Sequence, residues 1–186
     1  MWVLFFMPEK LFYKNTITRF FISAAALYFL WFILYNFVIK PYTLLDEKVI
    51  KNIIQLSASV LSLFNQNIYS SSANIDVQMI GIDGAHPVWI GEPCNAVTIM
   101  ALFSIFIVSF PGAVKNKWWF IPSGILIIHF VNVMRVCALA LIQYRAPEYL
   151  DFNHNYTFTI IVYACVFGLW MLWVNRFSKI KDGQTK

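Results

Sequence analysis

Three side chains of this chain could do covalent chemistry together: the thiol of Cys94, the guanidinium of Arg135 and the imidazole of His154. Cys94 follows Pro93, a residue type favoured in the first turn of a helix. The wording therefore predicts that Cys94 opens a helix, where unpaired backbone N–H groups and the positive end of the helix dipole favour a thiolate nucleophile. Arg135 stands in a long apolar stretch. A charge at the centre of a membrane span costs about 2.5–3.5 kcal/mol on insertion scales, so it signals function or a dedicated partner. A fixed cation there can stabilise a thiolate or a developing oxyanion. It can also pair with Glu92 or snorkel toward headgroups. His154, in Asp151-Phe152-Asn153-His154-Asn155, is the residue type that moves protons near neutral pH, and a cysteine nucleophile needs one.

Other reactive types read differently. Asn132 precedes Arg135 by three residues and His129 precedes Asn132 by three, which puts all of them on one helix face. Asn132 is expected to orient a neighbour or to bond across helices, and His129 to be structural or supporting. His86, in Gly84-Ala85-His86-Pro87, reads as part of a turn. Cys137 and Cys165 lie deep in apolar runs and read as small apolar residues. The three cysteines form no spaced pair, so neither a disulfide framework nor a metal signature is present in the wording. The chemistry of a thiol, a guanidinium and an imidazole needs no metal and no organic cofactor.

The elements that must position these groups are read from composition and periodicity. Of 186 residues, 60% are hydrophobic and 12% charged, and the mean hydropathy is +0.65. A soluble domain is nearer 45–50% apolar and about 25% charged. The fold class is therefore an all-α integral membrane protein, in one domain over 1–177. About four transmembrane helices are expected, at 20–39, 94–110, 118–142 and 156–174. Residues 49–64 differ. Val49, Ile50, Ile53, Ile54, Val60, Leu61 and Phe64 form a stripe backed by Lys51, Asn52, Gln55, Ser59 and Ser62, an amphipathic helix for the interface or for the other helices. In the loop 65–93, Ile75, Val77 and Met79 alternate with polar residues, Asp83-Gly84 is a turn signal, and Val88-Trp89-Ile90 reads as a return strand. A small extracytoplasmic β-hairpin is expected there. The tail 178–186 is expected to be disordered and cytoplasmic, and residues 1–7 to dip into the interface.

Charge sets the orientation. With the N-terminus inside, nine cations (Lys10, Lys14, Arg19, Lys115, Lys117, Arg176, Lys179, Lys181, Lys186) face the cytoplasm. Five (Lys40, Lys48, Lys51, Arg135, Arg145) lie elsewhere. This follows the positive-inside rule, so the net charge of +5 belongs to topology and not to nucleic acid. The first apolar run is too long for a signal-peptide core, and no small-x-small site follows it. Under this topology Cys94, Arg135 and His154 gather at the outer face.

At Glu92-Pro93-Cys94-Asn95, Asn132-x-x-Arg135 and His154 the chain resembles the exosortase/archaeosortase family, over roughly residues 80–174. The Pro-Cys-Asn wording and the Phe/Ile/Asn/Lys-rich composition look most like the Bacteroidetes exosortase F type. The resemblance implies a sortase-like cysteine transpeptidase or protease of the bacterial inner membrane. Its clients would be exported proteins carrying a C-terminal signal of short motif, transmembrane helix and basic cluster. The acceptor would be an envelope glycan or lipid. Cys94 would be the nucleophile, Arg135 the transition-state cation and His154 the general acid/base, with Glu92, Asn95 and Asn132 in support. Where family members commonly have Cys-Ser-Gly or Cys-Asn-Gly, this chain has Cys94-Asn95-Ala96. Alanine is expected to fit in a helix's first turn there.

Two other classes fit parts of the pattern. A non-catalytic membrane subunit or chaperone would use Arg135 and Glu92 structurally. A small transporter would line a polar path with Arg135, Asn132 and His129. A transporter should also show polar breaks on several helices, and the runs 20–39 and 156–174 show almost none.

Overall fold

The computed structural model describes residues 16–64, 67–74, 77–91 and 94–178. Glu92 and Pro93, Ile75, the N-terminal residues 1–15 and the tail from 179 onward lie outside the described residues, together with what the sequence predicts for them.

Helix α1 (Thr16–Leu34) continues through a π-helical turn, Tyr35–Ile39, and a short helical piece, Lys40–Tyr42. Its large side chains, among them Phe21, Phe29 and Phe37, are exposed. In an apolar solvent such a face is satisfied by lipid. Helix α2 (Leu45–Ser62) begins with Asp46 and Glu47, acidic residues that complement the helix dipole. Its stripe behaves as its periodicity predicts: Ile50, Ile53, Ile54 and Leu61 are buried. They pack on helix α4 (Val114–Arg145) and on a small sheet. Phe64, at the far end of the predicted stripe, is exposed.

The sheet is larger than the sequence suggests. Strands β1 (Ile68–Asn74), β2 (Val77–Ile82) and β3 (Val88–Ile90) form an antiparallel meander in the order β1-β2-β3. The predicted Asp83-Gly84 turn lies between β2 and β3, with Gly84 at φ +88°, a conformation that favours glycine. The additional strand is β1, paired from Ile68↔Ile82 to Asn74↔Val77. Its Ser70-Ser71-Ser72 centre lacks apolar alternation, so the pairing with β2 supplies what local pattern does not. Ile80, Ile82, Val88 and Ile90 turn to the buried side, while Trp89 faces out.

Helix α3 (Val97–Ser109), the long helix α4, and helix α5 (Phe158–Phe177) complete the bundle. Before α5 the chain winds through Pro147–Tyr149, Leu150–Phe152 and a second π-helical turn, Asn153–Thr157. Among the described residues three stretches are long and apolar enough to cross a membrane: Ile17–Tyr42, Val114–Arg145 and Pro147–Phe177. The run expected at 94–110 forms the 13-residue α3. At 1.5 Å per residue it covers about 20 Å, short of a hydrocarbon core of about 30 Å. Lys117 closes the α3–α4 turn by donating from Nζ to the carbonyls of Val108 (2.7 Å) and Phe110 (2.8 Å), which would otherwise be unpaired at the end of α3.

Two cores lie along α4. One joins Ile50, Ile53, Ile54 and Leu61 of α2, Ile80, Val88 and Ile90 of the sheet, Cys94, and Val133, Val136, Cys137, Leu139 and Ala140 of α4. The other joins Phe103 and Ile107 of α3, Phe120 and Ile128 of α4, and Val166, Leu169 and Trp173 of α5. Gly124 lets α3 approach α4 here: a Cβ at this position would lie 2.2 Å from the Phe103 ring.

Candidate active site

Cys94 does not open α3. It lies upstream of the helix, in a tight turn closed by Cys94 N donating to Gly91 O (2.9 Å). Ala96 is the N-cap of α3, at φ 60° and ψ 10°. This left-handed conformation disfavours a Cβ by roughly 1–2 kcal/mol. The expectation that Ala96 sits within the first helical turn is thus corrected. The position where the family wording has glycine is the one position among the described residues where a non-glycine residue has positive φ.

The turn is held from two sides. Asn95, buried, accepts at Oδ1 from Val97 N (2.9 Å), an Asx-type turn that pairs the first N–H of α3. Its Nδ2 donates to Asp46 Oδ1 at the start of α2. The same oxygen accepts from Tyr35 Oη of the first π-helical turn (2.9 Å). On the other side, fully buried Asn132 of α4 donates from Nδ2 to Cys94 O (2.7 Å). Asn132 therefore holds a neighbouring turn and not a partner helix.

Held this way, Cys94 Sγ lies 3.5 Å from His154 Nε2, across 60 residues of chain. Cys94 is 6% exposed. His154 is half-buried, in the second π-helical turn. Single π-helical turns are rare and often mark functional sites, and both of those here carry a side chain of this constellation. At this separation either the thiol donates to a neutral ring or a protonated ring donates to a thiolate. These are the two ends of one proton transfer.

Arg135 is half-buried, one helical turn beyond Asn132 on α4. Its charge acts on His154, and the Asp151 carboxylate acts on the same ring with the opposite sign. Arg135 Nε is buried and has no hydrogen-bond partner among the described residues. Asn132 Oδ1 is buried and unpartnered as well. Two unmet buried polar atoms of opposite type, one donor and one acceptor, are unusual in a packed interior.

The remaining candidates stand apart. His129 Nε2 pairs with Asn52 Oδ1 (2.9 Å), so it ties α4 to the polar back of α2. Cys137 is buried and its Sγ contacts Ser57 O at 3.6 Å. Cys165 borders the aromatic core. His86 is exposed in the β2–β3 connection. No group of three or more His, Cys, Asp or Glu suited to a metal ion occurs among the described residues.

The residue that sequence reasoning missed is Asp46. Its visible signal is its place in the first turn of an amphipathic helix, which by itself indicates only a favourable dipole interaction.

A largely helical, membrane-type bundle in which a buried cysteine meets a half-buried histidine, with an arginine on a helix long and apolar enough to span, defines a class: integral membrane proteins with a candidate cysteine site. The profile of the transmembrane exosortases matches residues 15–174, nearly the whole chain. The chain belongs to the transmembrane exosortase family. No curated protein and no solved structure matches it.

Proposed function

We propose that this exosortase is a membrane-embedded cysteine transpeptidase or protease. It would cleave the C-terminal sorting signal of exported proteins at the outer face of the cytoplasmic membrane. The observation that carries the reading is the 3.5 Å approach of Cys94 Sγ to His154 Nε2. Family membership and the intramembrane Arg135 support it.

In this mechanism His154 takes the thiol proton at Nε2, and the Cys94 thiolate attacks the scissile carbonyl carbon. Arg135 stabilises the negative charge that develops on the carbonyl oxygen. The tetrahedral species collapses as His154 returns the proton to the leaving amine, and the client's new C-terminus remains on Cys94 as a thioester. An amine, a hydroxyl or water then attacks the thioester carbonyl, and the thiol is restored. An envelope glycan or lipid would be the acceptor in transpeptidation. Asn132 supports the geometry by holding the Cys94 carbonyl, and Asn95 by pairing the first N–H of α3. Glu92 would support the site from the approach to Cys94. The wording around Cys94 favours kinship with the exosortase F type.

The outer face follows from the charge distribution, with both termini in the cytoplasm. Helix α3 would be the fourth membrane-embedded helix, short because Cys94 and its turn occupy the remaining depth.

The test is co-expression of a client with a C-terminal span and basic cluster beside wild type, Cys94→Ala, Arg135→Ala and His154→Ala. Each variant is expected to insert at wild-type level and to leave the client unprocessed. Processing at the wild-type rate by Cys94→Ala refutes the nucleophile assignment.

A further inference from the structure

We infer that Asp46 is a positioning residue for Cys94, acting through Asn95 on the left-handed turn at Ala96. The cleavage arm of the argument rests on the cysteine-peptidase reading; the geometric arm does not.

The Asn95 amide has two jobs that fix its orientation. Oδ1 must face Val97 N to pair the first N–H of α3, and Nδ2 must then face an acceptor. Asp46 Oδ1 is that acceptor, and Asn95 itself is only 3% exposed, so water is a poor substitute. Asp46 is in turn fixed by Tyr35 Oη. The chain Tyr35–Asp46–Asn95–Val97 therefore joins α1, α2 and the N-terminus of α3.

Ala96 lies between Asn95 and α3. Its φ of 60° is one an alanine leaves readily when nothing holds it. Rotation there would carry Cys94 away from His154, since only one residue, Asn95, separates Cys94 from Ala96. Asn132 holds the Cys94 carbonyl but does not hold Ala96. The strained residue and its clamp thus form a pair. Glycine in that position would need the clamp less, because it adopts positive φ without penalty.

The experiment reads geometry and cleavage separately. The geometric arm uses a full-length chain carrying Cys137→Ala, Cys165→Ala and His154→Cys. Dibromobimane, which fluoresces only after both of its ends have alkylated thiols, then reports the approach of position 94 to position 154. Asp46→Ala is expected to slow this double alkylation by about tenfold, the scale of a lost hydrogen bond to a charged group. Asp46→Asn, which keeps an acceptor oxygen, is expected to retain most of it. Adding Ala96→Gly to Asp46→Ala is expected to restore most of the rate, which a general loss of folding would not allow. In the chain with His154 and all native cysteines, Asp46→Ala is expected to lower kcat for client cleavage with KM little changed, with the same rescue. If Asp46→Ala does not accumulate, Asn95→Ala breaks the same chain and must give the same loss and rescue.

Double alkylation at the parent rate in Asp46→Ala, or no recovery on adding Ala96→Gly, overturns the inference. Loss and rescue of alkylation in a protein whose wild type cleaves no client supports the positioning role and overturns the peptidase reading alone.

Discussion

The two stretches of α4 are packed by different means. Around Phe120, Gly124 and Ile128 the neighbours include many rings, Phe103 and Phe106 of α3 and Trp170, Trp173 and Phe177 of α5, beside the aliphatic Ile107, Val166 and Leu169. Phe106 and Trp170 stack at 4.5 Å, and Phe120 meets Trp173 at 5.1 Å. Around Asn132, Val136 and Ala140 the neighbours are aliphatic side chains of α2 and the sheet, crossed by directional polar contacts: Asn132 to Cys94, Ser57 to Val133 and Cys137 to Ser57. Rings provide contact area and dispersion, which survive small rotations. Hydrogen bonds to a backbone carbonyl do not survive them. The aromatic region holds helices together, and the aliphatic region holds atoms in register. Cys94 lies in the second, with His154 against its thiol.

This contrast predicts that stability and activity separate along α4. The largest effect is expected at the groups proposed to react. Cys94→Ala and His154→Ala are expected to lower client processing by about 10³-fold or more, and Arg135→Ala by about 10²–10³-fold, with insertion unchanged. Immunoblots of client maturation in membranes check this. Comparable processing by His154→Ala and wild type would remove the aliphatic region's special role.

Next is the aromatic region. Trp173 is fully buried, and Trp173→Ala is expected to lower stability by about 3 kcal/mol. A thermal scan in detergent should show a lower midpoint, while the protein that remains folded keeps its processing rate. A selective loss of processing without destabilisation would break the comparison.

Asn132→Ala should do the reverse. It removes the donor to the buried Cys94 carbonyl, at a cost of about 1–3 kcal/mol in local order. A loss of kcat larger than the fall in thermal midpoint accounts for is expected. The smallest effect is Ala96→Gly, which should raise stability by about 1 kcal/mol by relieving the positive φ. A measured destabilisation there would show that the left-handed turn carries no strain.

The same contrast explains what the amino-acid sequence discloses. The apolar runs and the stripe of α2 are local patterns, and they map directly onto α1, α4, α5 and the buried face of Ile50, Ile53, Ile54 and Leu61. The 3.5 Å approach of Cys94 Sγ to His154 Nε2 is anticipated in the sequence only through residue type and the expected order of the spans. What escapes the sequence is of longer range or finer grain. Strand β1 depends on its partner β2, because Ser70-Ser71-Ser72 has no strand periodicity of its own. The turn at Ala96 contradicts alanine's own preference and is spanned by the bond from Val97 N to Asn95 Oδ1, with Asn95 oriented by Asp46. Asp46 matters through a contact 49 residues away, which spacing does not encode. The π-helical turns at Tyr35 and His154 likewise lack a compositional signature.

The most direct measurement is capture of the acyl-enzyme. Hydroxylamine added to membranes turning over a client attacks a thioester and releases the client fragment as a hydroxamate at its new C-terminus, readable by mass spectrometry. The hydroxamate is expected with wild type and absent with Cys94→Ala. A client cleaved at the same bond in Cys94→Ala, or a hydroxamate formed without Cys94, would contradict a thiol nucleophile at this site.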